Sequence, residues 1–543
     1  MGLPSFIAIG VIVVIFVLLF LTGSEGEPTT YGSATWLDIG AALRKGYFKG
    51  KGILVGDWAG LLPVHYEDTH AITLGPSGSG KGTSAILPNL LDSPYVFLFC
   101  PGGENTAIVI KDRRAKGDVL GIINPFSMHD GEPWNLPRHG FNPLDILDPR
   151  DPQFAAHAEL LADLLTPRSG KEGGSSQFFK DSAQGWKQAV IIYIMVRLPE
   201  KDRHLGTLYR LCNLPARDWK KLLKDMQKCT AAEGLVAIEA SAMERREVQA
   251  PEEFSAIMST VQQDLRWLAD PLVRENLKRS DVDFGALKGI DRHGNKVNGC
   301  LISVVLPLEY SETHAAITRL ALGCAIWTMQ RAPLPRGKVL FIIDEAASLQ
   351  KITRFPNWLA TLRKYRVVLW PIFQNIGQVK ALYGQEWDTF IANCGLRQFL
   401  GAADLQTAQY AHHLLGEHTT HTISVNHEGK ENTSEAKRSL MTVDEILYLD
   451  SSSQIVFSGS DRPMRLIKTP YWERPEFRGR FNPNPYIEKR TPRNFSAPFK
   501  KAIGDLFYAI AWATAPHPTA LKLYLIAITV AGFTIYFDVT GTL

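Results

Sequence analysis

Short apolar runs alternate with helix-period patterns along most of this chain, and the alternation is interrupted once. Residues 71–74, 95–100 and 119–123 are apolar enough to be buried strands, while residues 83–91 and 105–114 between them carry helical spacing. This order predicts parallel βαβ units. From residue 153 to about 277 the β-branched runs vanish. Residues 155–165, 177–196, 216–228 and 252–267 place apolar positions at helical intervals instead, and predict amphipathic helices. Residues 170–176, Gly-Lys-Glu-Gly-Gly-Ser-Ser, read as a flexible loop between two of them. Alternation then resumes. Strands are expected at 300–306, 339–343, 367–373, 396–400 and 453–457, and helices at 313–330 and 404–415. Residues 442–447 predict a short helix capped by Thr442, with Glu445 three residues on. The fold expected is α/β, with an all-helical insertion.

Both ends are more apolar than the middle. Residues 6–21 form an unbroken apolar run with uncharged flanks, close to the ~20 residues that span a bilayer. A signal peptide is the rival reading, but a basic leading segment and a small-residue cleavage site are lacking. Residues 519–543 are a candidate second span, and 503–515, followed by Pro516 and Pro518, read as an interfacial helix. Arg44, Lys45, Lys49 and Lys51 follow the first run, and Arg490, Arg493, Lys500 and Lys501 precede the last. By the positive-inside rule both termini then point outward and the middle is cytoplasmic. The organisation predicted is an anchor (1–22), a juxtamembrane connector (23–50), a nucleotide-binding domain in two parts (51–150 and 286–475), an all-α domain (151–285), a C-terminal extension (476–518) and the candidate second span (519–543).

With 543 residues the chain exceeds one core. Its six cysteines contain no CxxC pair, which argues against a disulfide framework and a zinc site. The net charge of +4 neither supports nor excludes a nucleic-acid partner.

The most specific chemistry lies in Gly75-Pro76-Ser77-Gly78-Ser79-Gly80-Lys81-Gly82-Thr83, between an expected strand and an expected helix. Strand, glycine-rich turn and helix start make a phosphate-binding loop, whose N–H groups curl around a polyphosphate while Lys81 reaches its outer phosphates. The residue after the lysine is ordinarily Ser or Thr, a magnesium ligand; here it is Gly82. Thr83 lies about 100° further round a helix and does not simply replace it. The second signal is the 339–343 run ending in Asp344 and Glu345. At the C-terminal end of a strand in an open α/β sheet, these face the ligand crevice. Asp344 suits a magnesium ion and Glu345 suits polarising the attacking water. Gln374 closes the next strand. It either sits beside the γ-phosphate or caps the following helix.

With these motifs in place the chain resembles the type IV secretion coupling proteins, the conjugative DNA-transfer ATPase family, over nearly its whole cytoplasmic part. The resemblance rests on the Gly-Lys-Gly loop, Phe141-Asn-Pro-Leu-Asp145, Phe178-Phe-Lys-Asp-Ser-Ala183 and Val304-Val-Leu-Pro307. It continues through Asp344-Glu345, Gln374 with Gln378, Tyr383-Gly384, Asn393-Cys394, Asp404 with Thr407-Ala408, and Leu415-Gly416. It implies a RecA-like motor domain, ATP and Mg2+ as cofactors, and a homo-hexameric ring on the bacterial inner membrane. The implied cargo is DNA, single-stranded and bearing a relaxase, or secreted effector proteins, handed to inner-membrane components of the secretion channel. It also implies that Arg363, by its distance from Gln374, completes a neighbour's site; an ordinary solvent-facing helix end is the alternative. Two features depart from the family. Cys100-Pro-Gly-Gly-Glu104 stands where Asp-Pro-Lys-Gly-Glu is usual, and one membrane run is C-terminal where the family places two at the N-terminus. The first departure motivates a second functional reading, a nucleotide-binding receptor that docks effectors without acting as a motor. Arg217, Lys220, Lys221, Lys224 and Lys228 share one helix face. A solvated face explains them most simply; phosphate contact is the other reading.

Overall fold

The computed structural model describes residues 29–169, 173–425 and 431–487. Eleven of its strands form one sheet: β1 (Ile53–Trp58), β2 (Leu62–Tyr66), β3 (His70–Leu74), β4 (Tyr95–Pro101), β5 (Val119–Ile123), β6 (Cys300–Leu306), β7 (Val339–Ile343), β8 (Val367–Phe373), β9 (Cys394–Phe399), β12 (Ser453–Ser458) and β13 (Met464–Ile467). Their spatial order is β2-β1-β13-β12-β9-β3-β8-β7-β4-β6-β5. The seven strands from β9 to β5 are parallel, and β12, β13, β1 and β2 extend the sheet antiparallel. Between them in sequence, β10 (Glu417–Val425) and β11 (Glu431–Ser439) make a separate hairpin.

Successive side chains of a strand face opposite ways, so a sheet covered on both sides needs apolar residues at every position. β4 shows this. Phe97 and Phe99 join one core with Phe341 and Ile343. Val96, Leu98 and Cys100 join the opposite core with Leu340 and Ile342. Helices Leu87–Asp92 and Glu104–Ala115 supply the second face, and helix Ala315–Gln330 covers the first.

Between β5 and β6 the described chain forms seven α-helices and no strand. Ser175–Arg197 is the longest, with Trp186 fully buried near its middle. The next residue, Lys187, is buried too and contacts Asp264 at 2.7 Å, with Lys180 on the same carboxylate at 2.6 Å. Burial, opposed by Asp264, lowers the Lys187 pKa to about 8.

Most expected strands agree with the sequence reading within two residues. Several elements carry only a short or interrupted apolar signal. Helix Leu235–Gln249 carries Glu-Arg-Arg-Glu at 244–247, which dilutes its periodicity. The β10–β11 hairpin is built mainly of Thr, His, Ser and Glu. β1 contains Gly56 and a buried Asp57, which pairs with Arg474 at 2.7 Å. The expected membrane and interfacial segments, 6–21, 503–515 and 519–543, lie outside the described residues. Among the described residues no helix is long and apolar enough to cross a membrane.

One buried polar chain crosses five strands. Trp370 Nε1 (β8) donates to Thr73 Oγ1 (β3) at 2.8 Å, and that hydroxyl donates to Gln398 Oε1 (β9) at 2.7 Å. Gln398 Nε2 donates to Gln454 Oε1 (β12) at 2.6 Å and to the Val55 carbonyl (β1) at 3.1 Å. Replacing Gln398 by leucine leaves the Thr73 hydroxyl and the Gln454 oxygen buried without these partners, at about 1–3 kcal/mol each. Gln398→Leu is expected to lower unfolding free energy by about 2–4 kcal/mol in urea titration. A loss below about 1 kcal/mol shows that the network does not hold the sheet.

Candidate nucleotide-binding site

Three neighbouring strands bring the motifs together. β8 lies between β3, which ends in the glycine-rich loop, and β7, which ends in Asp344 and Glu345. Leu74 is level with Phe373, and Ile343 with Pro371, so all three strands end along one edge. Gly75 N–H donates to the Phe373 carbonyl at 3.0 Å and Asp344 N–H to the Phe99 carbonyl at 3.2 Å. Segments more than two hundred residues apart therefore meet in one crevice, and the Lys81 charge acts on Asp344 there.

The loop needs its glycines for two reasons. Gly78 and Gly80 take left-handed φ values of +77° and +90°. At Gly75 a Cβ would stand 2.7 Å from Ser79 Oγ and 3.1 Å from Leu400. The turn leaving the loop, Lys81–Ile86, is a wide π turn before regular helix Leu87–Asp92 begins. Lys81 Nζ donates to the carbonyls of Gly75 (2.9 Å) and Pro76 (3.3 Å), inside the loop it would share with a phosphate. Thr83 Oγ1 bonds back to the Gly80 carbonyl at 3.3 Å.

Glu345 takes a left-handed φ of +56°, rare outside glycine. Its carboxylate accepts from Gln374 Nε2 at 3.0 Å and from Gln378 Nε2 at 3.4 Å. Gln374 N–H in turn donates to Gln378 Oε1 at 2.8 Å, so the pair of amides fixes the glutamate. Gln374 is not the cap of the following helix. Asn375 fills that role, accepting from Gln378 N–H at 3.0 Å.

Helix Glu104–Ala115 adds two residues that the sequence reading did not assign. Asn105 Nδ2 donates to Asp344 Oδ2 at 3.4 Å, and the charge of Glu104 acts on Asp344. Desolvation, then Glu104, pushes the Asp344 pKa up to about 7, against the pull of Lys81. Desolvation raises that of Glu104 as well. Lys468, after β13, donates to the Ser79 carbonyl at 3.0 Å and the Leu400 carbonyl at 2.7 Å, tying the loop to β9. Burial lowers its pKa to about 8. In sequence Asn105 and Lys468 carried no motif; Glu104 stood in the Cys100-Pro-Gly-Gly-Glu104 segment after a buried strand, but no role was assigned to it.

Other expected residues lie elsewhere. Arg363 precedes β8 and so stands at the sheet edge opposite Gln374, exposed and ion-paired with Asp68. It cannot reach its own crevice. Arg217, Lys220, Lys221, Lys224 and Lys228 are all exposed, on or just past helix Ala216–Met226, whose Trp219, Leu222, Leu223 and Met226 are buried. Among the described residues no group of three or more metal-ligating side chains forms. One carboxylate beside a phosphate site is the donor set magnesium uses, since it keeps several waters and takes the rest from phosphates.

A phosphate loop, an interposed strand and a carboxylate pair on one sheet edge define a RecA-like P-loop NTPase fold. The chain belongs to the family described as type IV secretory system conjugative DNA transfer, whose model matches residues 35–494. Protein VirD4 of Rhizobium radiobacter is 25% identical over 492 residues, covering 85% of this chain and 68% of that protein. The conjugal transfer protein TraG of Agrobacterium fabrum is 22% identical, covering 83% and 72%. Among solved structures, the bacterial conjugative coupling protein TrwBdeltaN70, unbound, superposes with a TM-score of 0.60 at 15% identity, covering 82% of this chain and 95% of that one. Plasmid coupling protein TrwB in complex with ADP and Mg2+ gives 0.58 at 16% identity, covering 87% and 99%. These likenesses show the fold, and the family resemblance read from the sequence holds.

A carboxyl raised in the folded state adds stability while protonated. For Asp344 that contribution is lost as pH climbs from about 4, the unfolded value, to about 7. The melting temperature of the nucleotide-free protein is expected to fall between about pH 4 and pH 7, and to fall less in Asp344→Asn. Parallel profiles for the two proteins contradict the assignment.

Proposed function

We propose that this chain is the coupling ATPase of a type IV secretion or conjugation system, converting ATP hydrolysis into delivery of DNA, or a DNA–protein conjugate, to the channel. The observation that carries this reading is Glu345, fixed by Gln374 and Gln378 beside Asp344 and the phosphate loop. In our reading residues 75–83 bind the triphosphate through backbone N–H groups, and Lys81 leaves the Gly75 carbonyl for the β- and γ-phosphates. Asp344 would hold the Mg2+ of the nucleotide, which would supply neutralisation of the phosphate charge. Glu345 orients the attacking water and takes its proton as the bond from the γ-phosphorus to the bridging oxygen breaks, releasing ADP and phosphate. Gln374, bonded to Glu345, reports the state of the γ-phosphate.

The finer assembly rests on the family. The chain forms a homo-hexamer in which Arg363 leaves Asp68 and enters the neighbouring subunit's crevice. Residues 6–21 anchor it in the bacterial inner membrane, 519–543 provide a second span, and the bulk is cytoplasmic. Single-stranded DNA carrying a relaxase is the cargo, and the basic face at 217–228 meets its phosphates.

ATP turnover with and without single-stranded DNA tests this. Lys81→Ala is expected to abolish turnover. Glu345→Gln is expected to keep nucleotide binding while turnover falls by about 10²–10⁴-fold, the range for losing a general base. Parental turnover no higher than that of Lys81→Ala favours the non-motor receptor. Arg363 has its own test. Arg363→Ala and Lys81→Ala proteins, each inactive alone, are expected to regain turnover when mixed, because one keeps the site and the other keeps the finger. Lack of complementation in mixed assemblies removes the arginine from this role.

A further inference from the structure

The phosphate loop lacks the hydroxyl that ordinarily follows its lysine, and what stands beside the gap is specific. A Cβ at Gly82 would lie 3.3 Å from Asn105 Oδ1, its one neighbour within 4 Å among the described residues outside the adjoining residues and backbone of its own turn. The side-chain oxygen of Asn105 thus occupies the space that a serine or threonine at 82 would enter. Asn105 is 2% exposed. Its amide nitrogen is spent on Asp344 Oδ2, which orients the oxygen, and that oxygen accepts no hydrogen bond among the described residues. Helix Glu104–Ala115 holds the residue on its first turn, and Gly103, at φ +75°, starts the helix without a capping side chain.

Though the residue is almost wholly buried, its Oδ1 is not sealed off, so an acceptor with no protein donor is left open to water or a cation in the crevice. Hard divalent cations take neutral amide oxygens readily, and magnesium sites pair one or two protein oxygens with phosphate oxygens and waters. Another class of phosphoryl-transfer enzyme, the protein kinases, holds a magnesium with an asparagine beside an aspartate. Resting on the nucleotide-site reading above, we propose that Asn105 Oδ1 replaces the missing loop hydroxyl in the magnesium shell. It would act directly or through one retained water, with Asp344 as its charged partner. Gly82 and Asn105 are then one unit: the glycine leaves the room that the amide fills.

The test is metal dependence of nucleotide binding by the full chain, not turnover. A fluorescent ADP is titrated with Mg2+ at fixed protein, and binding in EDTA gives the metal-free affinity. Mn2+ binding followed by electron paramagnetic resonance is read in parallel. Asn105→Ala is expected to raise the Mg2+ midpoint by about tenfold or more, as loss of groups around a metal commonly does, while the affinity in EDTA stays unchanged. Asn105→Gln, which keeps the amide but moves its oxygen by one methylene, is expected to show the same loss and serves if the alanine variant does not fold. Gly82→Ser combined with Asn105→Ala is expected to restore the midpoint, because the hydroxyl now has both its position and its space. An unchanged midpoint in either folded single variant overturns the proposal, as does a double variant no tighter than Asn105→Ala. A parental chain that binds no nucleotide at any Mg2+ concentration removes the underlying reading instead.

Discussion

The register of β3, β8 and β7 is the constraint on which the site depends. Sliding one strand by a single residue turns its whole side-chain set to the opposite face. Asp344 would then leave the crevice, and Glu345 would lose Gln374. Apolar packing alone does not forbid such a slip here, because these strands are buried on both faces and are apolar at almost every position. For β8 and β3 the polar chain from Trp370 through Thr73 and Gln398 to Gln454 does forbid it, since each partner is unique at its level and none has water to fall back on. Gly56 makes room for this chain: a Cβ there would sit 2.2 Å from Gln454 Nε2.

Charge in the crevice is arranged for a ligand. Glu104 and Asp344 face each other with Lys81 near, and burial raises the pKa of both carboxyls. The departure at Cys100-Pro-Gly-Gly-Glu104 fits this arrangement. An aspartate at 100 would add another buried carboxylate beside these two; the thiol there is neutral, its pKa raised by burial. Gly102, at φ +83°, takes a backbone conformation that strains any side chain, and a Cβ would also displace Glu104 Oε2, 2.7 Å away. Its carbonyl accepts from His129 Nε2 and from Tyr486 Oη, each at 2.8 Å. One cation and one anion are lost together, so the local balance is kept. The segment around Tyr486 covers the position instead.

What the sequence made legible follows from how each feature is encoded. The parallel strands were readable because burial on both faces demands continuous apolar runs. β1, β2, β13 and the β10–β11 hairpin were not, because their apolar runs are short or broken by polar residues that look the same in loops. The loop, Asp344 and Glu345 were readable because their chemistry is local to a strand end. Asn105, Lys468 and the roles of Glu104 and Gln378 were not, because each acts across a spatial neighbour that no spacing records. Several family motifs proved to be structural. Asn142 accepts from Leu144 N–H to start a short 3-10 turn, Lys180 pairs with the buried Asp264, and Thr407 Oγ1 accepts from Ile376 N–H at 3.0 Å.

The helical section is joined to the site through a buried guanidinium. Arg319, on helix Ala315–Gln330, donates to the Leu164 carbonyl at 2.8 Å and to the Leu349 carbonyl at 3.2 Å. Leu164 ends the first helix of the helical section, and Leu349 ends the short turn Ala346–Leu349 that follows Glu345. One turn of backbone and one side chain therefore separate the glutamate from the helices. Both carbonyls are committed to the same cation, and a buried arginine stripped of either cannot recover the bond from water. The turn after Glu345 and the end of the first helix of the helical section consequently share one charge, beside the Arg354–Asp163 ion pair at 3.3 Å.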